Sequence, residues 1–155
     1  MGFISIVISN IGVEIAADRR RIFQYLGSFG EQEAAGEPSS RVISSEDDGL
    51  IVEFITPLPL PFGINKTVTT VEKVTLQEPE LINFEEVEGP FAQRRESITL
   101  DDINGSTRLQ YRAVLGMKGW LMGWLLGILF VRPMLRRVII RHFNEIKEKM
   151  EASTG

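Results

Sequence analysis

Apolar residues recur at steps of two along a first strand predicted over 3–15, where Phe3, Val7, Ile11, Val13 and Ile15 share one parity. The period then lengthens. Asp18 stands where a carboxylate can cap a helix from Arg19 to about Leu26, with Ile22, Phe23 and Leu26 as its buried stripe and Arg19, Arg20 and Arg21 mainly in solvent. Gly27 and Gly30 stop this helix, and a short second one is expected around Gly30 to Ala35 before Gly36-Glu37-Pro38.

From Arg41 to Met117 the pattern is that of a meander. Strands are predicted over 41–46 and 50–56, joined by Glu46-Asp47-Asp48-Gly49, where Asp-Gly is expected to supply positive φ angles. Pro57, Pro59 and Pro61 cannot donate ladder hydrogen bonds, so 57–63 reads as a loop or strand edge. Strands over 64–77 and 80–87 flank Glu78-Pro79, one over 91–101 follows Gly89-Pro90, and Asp102-Ile103-Asn104-Gly105 turns the chain into a last strand over 106–116. There Leu109, Tyr111, Ala113 and Leu115 alternate with Arg108, Gln110 and Arg112, a half-buried pattern. The C-terminus returns to helical spacing. Leu121, Leu125, Ile128, Leu135, Ile139, Ile146 and Met150 form one face of a long helix, which Pro133 should kink near Leu129.

Composition narrows the function. The 155 residues suffice for one domain, 1–155, and the formal charge of -4 argues against a nucleic-acid binder, which must neutralise phosphates. Without cysteine there are no disulfides or thiolate sites, and His142, the sole histidine, has no partner at metal-binding spacing. Neither a metal site nor a cofactor is expected, and no residue is assigned as catalytic. The charge is uneven, however: residues 1–116 carry 10 basic and 18 acidic groups, residues 117–155 carry 7 and 3. The basic end surrounds a greasy one. Trp120 to Val131 contains no charge, yet it falls short of the roughly 20 apolar residues needed to cross a bilayer. Trp120 and Trp124, with Arg132, Arg136, Arg137 and Arg141 beyond, suit an interfacial membrane anchor, a homodimer interface or burial under the proline loop. With no signal peptide, the expected location is cytoplasmic, with membrane association as a variant.

The element order and its punctuation carry a resemblance. Val13-Glu14-Ile15-Ala16-Ala17 leading into Arg21-Ile22-Phe23-Gln24-Tyr25-Leu26, then Gly89-Pro90-Phe91, then Asn104-Gly105-Ser106-Thr107-Arg108-Leu109-Gln110-Tyr111, together resemble the START-like (SRPBCC) helix-grip superfamily over nearly the whole chain. That superfamily includes Bet v 1-like, polyketide cyclase/dehydrase and lipid-transport proteins. The resemblance implies an α+β fold: a curved antiparallel sheet of about seven strands wrapped around a long C-terminal helix, with short helices after the first strand. It also implies an apolar cavity between sheet and helix.

Placed in that arrangement, Phe23, Phe54, Phe62, Phe91, Tyr111 and Trp124 converge on the cavity or fill it as ordinary core. Glu72, Arg95 and Tyr111 are the polar candidates inside it, because a lone polar group in an apolar pocket orients a ligand. Arg94-Arg95-Glu96 reads otherwise as surface ion pairs, and of Glu85, Glu86 and Glu88 at most one parity faces inward. The expected partner is a hydrophobic small molecule or lipid. The rivals are a polyketide cyclase/dehydratase-like enzyme, with Glu72 or Tyr111 as its acid or base, and a ligand-free protein-interaction module.

Overall fold

Alternating strands separated by tight turns can bury an apolar face only by pairing side by side, and seven of them do so in one antiparallel sheet. A computed structural model of the protein describes residues 4–29, 39–59, 65–89, 93–117 and 132–152. In chain order the elements are β1 (Ile4–Ile15), α1 (Arg19–Leu26), β2 (Ser39–Glu46), β3 (Gly49–Pro59), β4 (Asn65–Gln77), β5 (Leu81–Glu88), β6 (Gln93–Ile103), β7 (Ser106–Met117) and α2 (Arg132–Ala152). The strand order is β1-β7-β6-β5-β4-β3-β2, so a meander from β2 to β7 is closed by β1 against β7. The two described helices lie on the same apolar face: Ile22 and Phe23 of α1 and Phe143, Ile146 and Met150 of α2 join one core with the inward residues of the sheet. The expected α+β helix-grip architecture is the observed one.

Local chemistry explains where details depart from the sequence pattern. In β1 the pairing with β7 shifts between Ile8 and Ile11, and Asn10 there adopts φ 60°. This bulge reverses parity: Ile6 and Ile8 point inward before it, Ile11 and Ile15 after it, and Val7 is left 40% exposed rather than sharing the face of Ile11. Asp18 occupies the N-cap of α1, but its side chain caps nothing. The β2–β3 turn is tight around Asp47-Asp48 without the left-handed glycine expected of it. Gly49 is needed for space instead, since a Cβ there would strike the Val74 carbonyl oxygen. In contrast, Asn104 and Gly105 take φ 52° and 93°, the pair of positive values a two-residue hairpin with native twist requires.

The proline segment is strand rather than loop through Pro59. Pro57 and Pro59 pair with Thr67 and Asn65 of β4, whereas pairing with β2 ends at Ile55. Among the described residues, β3 beyond Ile55 is paired on the β4 side alone, the setting in which a strand tolerates proline. The kink expected near Leu129 and the helix expected around Gly30 to Ala35 lie outside the described residues. Within α2, Pro133 stands in the first described turn.

Polar clamps hold α2 across the sheet. Arg136 donates to the carbonyl oxygens of Ser9 and Asn10 at 2.9 and 3.4 Å, satisfying backbone groups that the β1 bulge leaves without ladder partners. Lys147 donates to the Glu14 carbonyl at 2.8 Å, and the Ala16 N–H donates to the Glu151 carboxylate at 2.9 Å. Arg21 of α1 reaches the Met150 carbonyl at 3.1 Å, so it is not the solvent-facing side chain its helix position implied. Buried Thr107 donates to the Ala17 carbonyl at 2.8 Å, fixing the entry to α1.

Candidate functional site

The bulges that bend the sheet leave a hollow between its concave face and α2. They lie in β1, at Ile43 of β2 and opposite the Val71–Glu72 step of β4. The hollow is a cavity of about 450 Å3, within the roughly 300–1,000 Å3 typical of small-molecule sites.

One side is aromatic. Phe29, after α1, Phe54 of β3 and Phe84 of β5 meet edge to face, with ring centroids 5.7–6.2 Å apart. Leu135 and Ile139 of α2 line the cavity together with Ile98 of β6 and Leu26 of α1. The other side is polar. Strand alternation brings Glu72 of β4, Arg94 and Glu96 of β6 and Tyr111 of β7 to the same wall. Tyr111 Oη donates to Glu96 Oε1 at 2.5 Å. The same oxygen accepts from Arg94 Nε and Nη2 at 3.1 and 2.7 Å. The side chains of Arg94 and Glu96 are only 17% and 10% exposed, so this is a nearly desolvated, charge-assisted cluster.

Glu72 is the exceptional group. It is 3% exposed. One oxygen accepts from Thr70 Oγ1 at 3.0 Å, while Oε1 has no hydrogen-bond partner among the described residues. Burial pushes its pKa from the usual 4.5 up to about 7, and the neighbouring Glu96 and Glu86 charges add to the rise against the pull of Arg94 and Thr70. Burial together with Glu96 likewise holds the Tyr111 phenol well above its ordinary value. Burial opposes the Arg94 charge, but Glu96 and Glu72 outweigh it and keep the guanidinium protonated. The carboxylate of Glu86 is tucked behind this wall, beneath Gly89, where a Cβ would collide with it.

Of the sequence candidates, Phe54, Glu72 and Tyr111 line the cavity. Phe23 does not; it is 4% exposed within the core, because the inward stripe of α1 packs down onto the sheet. Arg95 is displaced by parity: its side chain is 74% exposed on the outer face and pairs with Glu85 at 3.5 Å, while Arg94 takes the inner position. Phe62, Phe91, Trp120 and Trp124 lie outside the described residues. Arg132 is exposed, and Arg136 is engaged with the β1 bulge. Arg94, Glu96, Phe29 and Phe84 were missed. The signal for the first two was present in β6, where Ile98 and Leu100 mark the even parity as inward. His142 lines the cavity beside Arg141 and Glu145 of α2. Among the described residues no three His, Cys, Asp or Glu side chains are placed to hold a metal ion, and no helix is long and apolar enough to cross a membrane.

No protein-family model and no curated protein sequence matches the chain. Solved structures do. A START superfamily protein from Mycobacterium smegmatis superposes with a TM-score of 0.72 at 13% identity, covering 97% of this chain and 99% of that one. The Zhui aromatase/cyclase from Streptomyces sp. R1128 superposes with 0.73 at 13% identity over 97% and 96%. The protein TTHA0849 from Thermus thermophilus gives 0.73 at 14% over 97% and 99%. At such identities the likeness speaks for architecture and not for activity. With its closed meander, α2 laid across the concave face and a hollow between them, the chain has the START-like (SRPBCC) helix-grip fold.

Proposed function

We propose that the protein binds a hydrophobic small molecule or lipid in the cavity between α2 and the sheet. The observation that carries this reading is the cavity itself: about 450 Å3 walled by Phe29, Phe54, Phe84, Leu135 and Ile139. Side chains of the described core leave that volume open instead of filling it. Moving an apolar guest from water into such a space gains roughly 25 cal/mol per Å2 buried, enough to hold an alkyl or aromatic body without specific chemistry. The polar cluster then fixes the orientation of the guest.

One observation favours a second reading, an enzyme of the cyclase or dehydratase kind. Glu72 faces the cavity with a pKa near neutrality, where a group can both take and give a proton. The aromatase/cyclase among the fold neighbours is in keeping with this. The ligand-free interaction module, by contrast, requires a filled interior and draws no support from the cavity.

Native mass spectrometry of the purified protein, followed by organic extraction, tests the binding reading. The wild type is expected to retain an apolar compound or take up a neutral fluorescent probe. Ile139→Trp, which places an indole in the cavity, is expected to lower occupancy several-fold. A wild type that carries nothing and binds no probe would overturn the proposal. Recovery of a compound that the protein converts on incubation, with the conversion lost in Glu72→Gln, would move the assignment to the enzyme.

A further inference from the structure

We propose that the cavity admits guests built on one alkyl chain of up to about fifteen carbons, or of equal bulk, and excludes lipids whose two chains would both have to be enclosed. This rests on the binding reading above and narrows its ligand class.

Capacity leads to it. A methylene group takes up about the 30 Å3 that a water molecule holds in the liquid. The cavity of about 450 Å3 therefore accommodates about fifteen of them, and two chains of that length need about twice the space. The walls that set this volume brace one another. Phe29, Phe54 and Phe84 meet pairwise edge to face, so none of the three rings can retreat without losing its contacts with the other two. Across the cavity Tyr111 of β7 meets Phe143 of α2 edge to face, with ring centroids 6.2 Å apart. That contact ties the helix directly to the sheet and marks where the hollow ends, because beyond it Ile146 and Met150 of α2 are buried in the core. The Tyr111 hydroxyl is itself fixed on Glu96, which Arg94 holds with two more hydrogen bonds. A guest with a second chain must part these contacts or leave that chain in water. Either way it forfeits the burial that drives binding.

Monoacylglycerols and diacylglycerols share an uncharged glycerol head and differ in chain number, so they isolate bulk from charge. Monoacylglycerols with saturated chains of about ten to about twenty carbons, bracketing the capacity, are presented in equal amounts with dipalmitoylglycerol in dioleoylphosphatidylcholine vesicles. The protein is then separated from the vesicles and its bound lipid quantified by mass spectrometry. The bilayer buries every methylene and a filled cavity does not. Wild-type protein is therefore expected to capture chains up to about fifteen carbons evenly and each further carbon about fourfold less well, the worth of one buried methylene. The diacylglycerol and the vesicle phosphatidylcholine are expected about tenfold or more below the best monoacylglycerol. Ile139→Trp should move the cut-off to shorter chains and Phe84→Ala to longer ones, with circular dichroism showing that each variant is folded. Where a variant fails to fold, the wild-type cut-off decides alone. Two-chain lipid captured as strongly as one-chain lipid, or no fall with chain length in the wild type, would overturn the inference while leaving the cavity reading intact. So would a cut-off unmoved in both folded variants. If no lipid is captured and N-phenyl-1-naphthylamine does not bind, the cavity reading falls, and this inference with it.

Discussion

Glu72→Gln is expected to stabilise the protein at pH 8 by up to about 3 kcal/mol and to have little effect at pH 5. The pKa of Glu72 rises from 4.5 to about 7 on folding, and each unit corresponds to about 1.36 kcal/mol. Because the folded value lies above the unfolded one, the native state holds the proton between pH 4.5 and 7 while the unfolded chain has released it. Stability therefore falls as pH rises through that window and levels off above it. Gln mimics the protonated acid and removes that slope. The difference between variant and wild type also cancels other groups that titrate in the same range. Thermal or urea unfolding of both proteins from pH 5 to 8 measures it, and parallel curves for the two would contradict a neutral Glu72 in the native state.

The second large effect concerns the partner cluster. Arg94→Leu is expected to destabilise the protein by about 3–5 kcal/mol, because it leaves Glu96 buried without its counter-charge. Adding Glu96→Leu should restore a substantial part of that loss, since no unpaired charge then remains, although Tyr111 loses its acceptor. This double-mutant comparison separates electrostatics from packing. Purely additive losses in urea denaturation would mean that Arg94 acts through its alkyl stem alone. Arg94→Leu also removes the main electrostatic pull against protonation of Glu72, so the Glu72 transition should move to higher pH in that variant.

Much of the architecture is legible in one sequence because it is local. Alternation in Leu109–Leu115, the Asn104-Gly105 turn and the prolines at the end of β3 each act within a few residues, and the strands assemble in the order these imply. The site is less legible because its composition is set by register between distant strands. Arg94 and Arg95 are neighbours with the same chemistry, and only pairing of β6 with β5 and β7 decides which faces the cavity. Phe23 sits in a proper amphipathic stripe, yet the stripe meets the packed part of the sheet and not the hollow. The β1 bulge reverses an apolar pattern that looks continuous, because a single left-handed Asn10 is invisible to periodicity. Glu72, Phe54 and Tyr111 were within reach for a simpler reason: each is a large or charged side chain inside an otherwise apolar strand parity.

Intermolecular nuclear Overhauser effects between unlabelled decanol and isotopically labelled protein locate a guest atom by atom. The expected contacts join the alkyl chain to the methyl groups of Leu135, Ile139 and Ile98 and to the rings of Phe54 and Phe84. Contacts confined to exposed methyls such as those of Val42 and Ile43 on β2, with none inside the sheet, would contradict binding between α2 and the strands.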